Sequence, residues 1–157
     1  VYTGRVALAE GGSSVKGRAA TKAWRALMTQ TFRDQWAGQQ PMTGPLALRV
    51  TFTVPRPRGH WRTGRNAHLL RDTAPRFPDV KPDGGKFQRA VEDSLTDAGV
   101  WSDDALVVFW HGAKLYPLDN WAQSLSGLTI PDPTVFCGVP TADALTKPGV
   151  VVRVWHV

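Results

Sequence analysis

Residues 81–111 read KPDGGKFQRAVEDSLTDAGVWSDDALVVFWH, and the reading of this stretch decides the fold. Phe87, Val91, Leu95 and Ala98 recur at i, i+4, i+8 and i+11, the spacing of an amphipathic helix. Gly99 stands where a helix stop belongs, because glycine takes the left-handed conformation without a Cβ penalty. Asp83 lies just ahead of the helix, the place of an N-cap. Residues 105–111 then form an apolar run, which predicts a strand covered on both faces and central in a sheet. Asp103 and Asp104 lead into that strand. A helix of about 13 residues spans roughly 20 Å, and the reversal at Gly99 lets the strand run back along it.

Working outward, residues 46–54, LALRVTFTV, alternate, with Leu46, Leu48, Val50, Phe52 and Val54 on one face. That pattern predicts a half-buried strand, ended by Pro55 and Pro57. Residues 21–36 place Trp24, Leu27, Met28, Phe32 and Trp36 at helical spacing, with Thr21 as the expected N-cap. The final GVVVRVWHV reads as a last strand. Residues 55–82 show little periodicity, and residues 117–148 read as a loop-rich insertion in Pro, Asp, Gly and Thr. The order strand, helix, strand, long loop, helix, strand, strand predicts an α/β (α+β) fold. It is one domain over 1–157, a small mixed β-sheet with helices packed on it.

Hydrophobic residues make up 42% of the 157, including seven Trp and six Phe, enough for one core. No run of 18 apolar residues exists, so no membrane-spanning segment is expected, and the first residues lack a signal-peptide pattern. A single cysteine, Cys137, excludes an intramolecular disulfide framework and fits a reducing, cytoplasmic compartment. Lys and Arg number 19 against 13 acids, giving a formal charge of +6 and a pI near 10.0. The excess concentrates in Arg56, Arg58, Arg62, Arg65, Arg71, Arg76, Lys81 and Lys86, opposed only by Asp72, Asp79 and Asp83. Arginine's planar fork suits phosphate oxygens, so this segment is the expected element for contact with DNA or RNA, and its eight cations are the candidate DNA-binding residues.

KPDGGK does not supply a phosphate loop, which needs GxxxxGK[ST], and no GxGxxG follows a strand. Three readings of Asp83 stay open: a helix cap, a turn residue, or half of a metal site completed by Asp103 and Asp104. Carboxylates in a basic surround suit a hard cation that activates water on a phosphodiester. His60, His68, His111 and His156 show no metal spacing.

The same stretch resembles the signature of the RusA family of Holliday junction resolvases. Lys81, Pro82, Asp83, Lys86, Arg89, Asp93, Leu95, Trp101, Asp103, Asp104 and Val107 carry the match. GRVALAE, KAWRALM and LALRVTFTVPRPR are similar to segments of phage and actinobacterial relatives, so the resemblance spans roughly residues 4–116. It implies a Mg²⁺-dependent endonuclease, with Mn²⁺ as an alternative ion. Such an enzyme acts as a homodimer that nicks four-way or branched DNA in pairs, in a bacterial or phage-infected cell. It further implies that Asp83 and Asp104 bind metal, with Asp103 beside them, and that Arg89 takes the place of the family's catalytic lysine. Where the family carries its second aspartate, this chain has Gly85, which removes a ligand and leaves a non-cleaving DNA-binding homodimer as the alternative. Relatives also carry a further strand and a Pro-rich turn ahead of the GR, for which this chain leaves little room.

Overall fold

The computed structural model describes residues 1–7, 18–79, 81, 83–117 and 143–157. The elements run β1 (Tyr2–Ala7), α1 (Arg18–Trp36), β2 (Leu46–Thr53), α2 (Gly84–Asp97), β3 (Val107–Leu115) and β4 (Gly149–His156). Short 3-10 turns cover Arg58–His60, Gly64–Asn66 and Asp104–Leu106. The sheet order is β1-β4-β2-β3, with β4 antiparallel to β1 and β2, and β2 parallel to β3. The mixed sheet with two helices is the α+β architecture expected from the sequence. Cys137, Pro82 and residues 118–142 of the expected insertion lie outside the described residues.

Alternation in β2 and β4 builds the core. Leu46, Leu48, Val50 and Phe52 join Val150, Val152 and Val154, and the two helices cover them with Met28, Phe32, Val91 and Leu95. The helices lie side by side. Trp24 meets Phe87 at 5.3 Å between ring centroids near their N-terminal ends. At the other end the Arg33 guanidinium donates to the Asp97 carbonyl at 2.8 Å. Arg25 ties the pair together, 3.0 Å from Asp93 and 2.7 Å from Asp97.

The glycine stop is as predicted. Gly99 has φ +79°, and its N–H and that of Val100 donate to the carbonyls of Thr96 and Leu95, both at 3.0 Å. The turn is fixed further by the Trp101 indole, which donates to Thr96 Oγ1 at 2.7 Å.

Three expectations are corrected. α1 begins at Arg18, so Thr21 lies inside the helix and does not cap it. β2 is buried on both faces rather than one, because it is an interior strand; the polar side of its alternation, Thr51 and Thr53, is covered. Thr53 Oγ1 accepts the Leu145 N–H at 2.9 Å, and nearby Arg153 forks onto buried Asp143. β3 is the edge strand rather than a central one. A register shift opposite Leu46 and Ala47 interrupts its start, and Val108 and Phe109 are 56% and 55% exposed. Its apolar run reflects only one covered face, supplied through Val107 and Trp110.

Candidate active site and DNA interface

β2 and β3 are parallel and α2 crosses between them, so the helix must run antiparallel to both. Contacts at each end agree. Phe87, in the first turn of α2, stacks on Phe52 near the end of β2, with ring centroids 4.7 Å apart and planes tilted by 20°. Past the C-terminus of α2, the Val100 carbonyl accepts the Met42 N–H at 2.7 Å, just before β2 begins. Asp83 therefore sits at the carboxyl end of the two parallel strands, the usual ligand edge of such crossovers. Asp103 and Asp104 sit at the opposite end, where β3 begins. The 14 residues of α2 separate them, a rise of about 21 Å. Among the described residues, no group of three His, Cys, Asp or Glu side chains is close enough to hold a metal ion.

The acids differ in what occupies them. Asp83 takes the N-cap position of α2 with extended backbone, yet its carboxylate makes no capping hydrogen bond. It faces Lys86 Nζ at 3.6 Å, and both side chains are exposed. Asp103 is spent on structure, its Oδ1 accepting the Ala105 N–H at 2.8 Å to cap the 3-10 turn. Asp104 is exposed on that turn rather than on the strand, so strand alternation does not decide which acid of the pair is available. Lys86 and Arg89, three residues apart, share a helix face at the Asp83 end, both exposed. A Cβ added at Gly85 meets nothing within 4 Å, and its φ lies outside the left-handed region.

The basic segment leaves the end of β2 and returns to the start of α2, which puts it on the Asp83 edge. It is more ordered than its sequence suggests. Trp61 and Leu70 form an isolated bridge, Arg62 N–H donates to Leu69, and Arg71 N–H donates to His60, both at 2.9 Å. Arg62 and Arg71 also hold the lobe together, through the carbonyls of Leu70 at 3.1 Å and Trp61 at 2.9 Å. Arg62 further pairs with Asp72 at 2.8 Å. Arg58, Arg65, Arg76 and Lys81 are exposed. Arg56 departs from its expected role as a DNA contact. It is only 9% exposed, lies 4.0 Å over the Tyr116 ring, and donates to the Pro75 carbonyl at 2.8 Å. Burial lowers its pKa, partly offset by Tyr116. Burial likewise raises the Tyr116 phenol, with Arg56 opposing and Asp79 adding to the rise.

The Arg56–Tyr116 contact, flanked by the His60 ring at 5.8 Å, escaped the sequence reading. Its signal was positional. Arg56 follows the end of β2 and Tyr116 directly follows β3, and parallel strands bring such ends together.

No helix among the described residues is long and apolar enough to cross a membrane. No curated protein matches the chain. The model of the family Endodeoxyribonuclease RusA matches residues 2–120, which takes in β1 through β3, the basic lobe and both acidic ends of α2. The chain thus belongs to the RusA family of Holliday junction endodeoxyribonucleases.

Proposed function

We propose that two copies of this chain act together as a Mg²⁺-dependent endonuclease that nicks branched DNA in pairs. The observation that carries this reading is the placement of Asp83, Lys86 and Arg89 on the edge from which the basic lobe emerges, in a chain of this family. Asp83 and Asp104 are exposed carboxylates of the kind a hard cation takes. They stand at opposite ends of a 14-residue helix, so one chain does not offer both to one ion. Two chains related by a two-fold axis do, if Asp83 of one copy meets Asp104 of the other, and such an axis also suits the symmetry of a four-way junction.

Asp83 and Asp104 would hold the ion, whose chemistry is to activate water and to stabilise the leaving oxygen of a phosphodiester. The chain's own groups do the rest. Lys86 and Arg89 supply positive charge for the phosphate at the start of α2. Arg58, Arg65, Arg76 and Lys81 neutralise flanking phosphates and set the register of the DNA. Arg56 holds the root of the lobe against Tyr116, which keeps those cations at the strand ends.

Gly85 favours a second reading, a homodimer that binds branched DNA without cutting it, because a site short of one carboxylate holds Mg²⁺ less well. A nicking assay on a four-way junction with Mg²⁺ separates the two. The structure leaves room for an aspartate at position 85. Under the nuclease reading Gly85→Asp raises cleavage on the order of 100-fold with junction affinity little changed. Binding without nicking in both proteins would sink that reading, and brisk cleavage by the unaltered chain would sink the second.

A further inference from the structure

Both helices pack on one face of the sheet, against Leu46, Leu48 and Val50 of β2. The residues that alternate with these face the other way. Toward the end of β2 that second face is covered, where the Leu145 N–H docks on Thr53 and Asp143 docks on Arg153. Toward the start of β3 it is open. Phe109 is 55% exposed there, His111 is exposed and Trp155 is half-buried. The register sets Arg153, Arg49 and His111 side by side in one row across β4, β2 and β3. The adjoining row sets Trp155 and Phe109 on either side of Ala47. Each row spans about 10 Å.

Two features of the basic row are unfavourable for a surface with a structural role alone. Arg49 and Arg153 lie directly opposite each other, and like charges so placed destabilise a sheet. Among the described residues Asp143 is the acid that reaches this row, and Arg153 takes both of its oxygens, at 3.1 and 3.0 Å. Arg49 is left over the Trp155 ring at 5.7 Å, and its Nε is shut off from solvent with no acceptor among the described residues. A negative charge brought from outside relieves the repulsion and gives the second guanidinium a counter-ion.

We propose that this open, helix-free part of the sheet binds single-stranded DNA, separately from the basic lobe. Arg49 and His111 meet the phosphates, and Phe109 and Trp155 offer their rings to the bases. A row of rings beside a row of basic groups suits an unpaired strand, whose bases present their faces for stacking. A duplex keeps those faces inside its own stack, so it gains the charge contacts without the rings. Asp104 stands just ahead of β3, at the open end of this face. A strand lying across Phe109 therefore passes near that carboxylate, as unpaired nucleotides at a branch point would need to. That last consequence rests on the nuclease reading above, whereas the platform is read from the sheet alone.

Fluorescence anisotropy with a labelled oligothymidylate of about 20 nucleotides, beside a duplex of the same length, tests the platform without needing activity. The parent should bind the single strand, and Phe109→Ser and Arg49→Gln should each weaken that binding about tenfold. Both should leave duplex affinity within about twofold, because the lobe carries it. Arg49→Gln should also lower the slope of log affinity against log salt for the single strand by about 0.7, the loss of one phosphate contact. Phe109 is exposed, so Phe109→Ser keeps the fold, and far-UV circular dichroism checks Arg49→Gln. A parent that does not bind the single strand, or a Phe109→Ser variant that binds it as the parent does, would overturn the proposal. So would single-strand binding that falls with Arg58→Ala and Arg65→Ala but not with Phe109→Ser, which puts the strand on the lobe. The expected losses in a protein that never nicks a junction would leave the platform standing and count against the nuclease reading.

Discussion

Gly85 and Arg56 show how little a residue's chemical type says until its surroundings are known. Gly85 stands one residue inside α2 on the exposed side, with open space where a Cβ would go. Aspartate is also favourable in the first turn, facing the positive end of the helix dipole. Gly85→Asp should hold or raise the melting temperature while tightening Mg²⁺ binding, which calorimetric titration would measure. Arg56 has the opposite character. Truncating it removes a cation over a ring and a charged donor to the Pro75 carbonyl, so Arg56→Ala should cost about 2–3 kcal/mol in urea denaturation. Arg58→Ala and Arg65→Ala should leave stability within about 0.5 kcal/mol. Each should lower the slope of log affinity against log salt by about 1, as for the loss of one phosphate contact. If Arg56→Ala behaved like those two, the buried contact would not be structural.

At the scale of elements, α2 is the part most legible in the chain. Its spacing, its glycine stop and the position of Asp83 ahead of it are all local properties, and the Schellman turn at Gly99 follows from backbone sterics alone. The strands were less legible. A strand with alternating residues became central and a strand with an apolar run became the edge, because burial of a strand depends on which neighbours the topology gives it. The basic lobe was read as irregular for a related reason. Its order comes from arginines donating to backbone carbonyls, an arrangement with no periodic signature. The stack of Phe87 on Phe52 is what sets the start of α2 against the end of β2. Phe87→Ala should therefore cost about 2 kcal/mol. It should also lower junction cleavage more than the loss of stability explains, measured with protein that is fully folded at the assay temperature.

For the whole molecule, the question is whether Asp83 and Asp104 act within one chain or between two. Mixing two inactive proteins answers it. In a Gly85→Asp background, Asp83→Asn and Asp104→Asn should each abolish nicking. Dimers formed by mixing them equally should regain about a quarter of the parental sites, since half the dimers are mixed and each carries one intact pair. No recovery, with mixed dimers confirmed by mass, would place both acids in one chain or remove one of them from the site.

The sequence by itself determined the family, the order and type of the helices and strands among the described residues, and the residues that can bear charge. These depend on periodicity, glycine and proline chemistry, and a long spaced motif, all carried by neighbours along the chain. Only the tertiary structure decided which strand is the edge, that Arg56 is buried, and that a helix of about 21 Å keeps Asp83 and Asp104 apart. Those are relations between segments far apart in sequence, set by strand order and the direction of the crossover, and no local pattern encodes them.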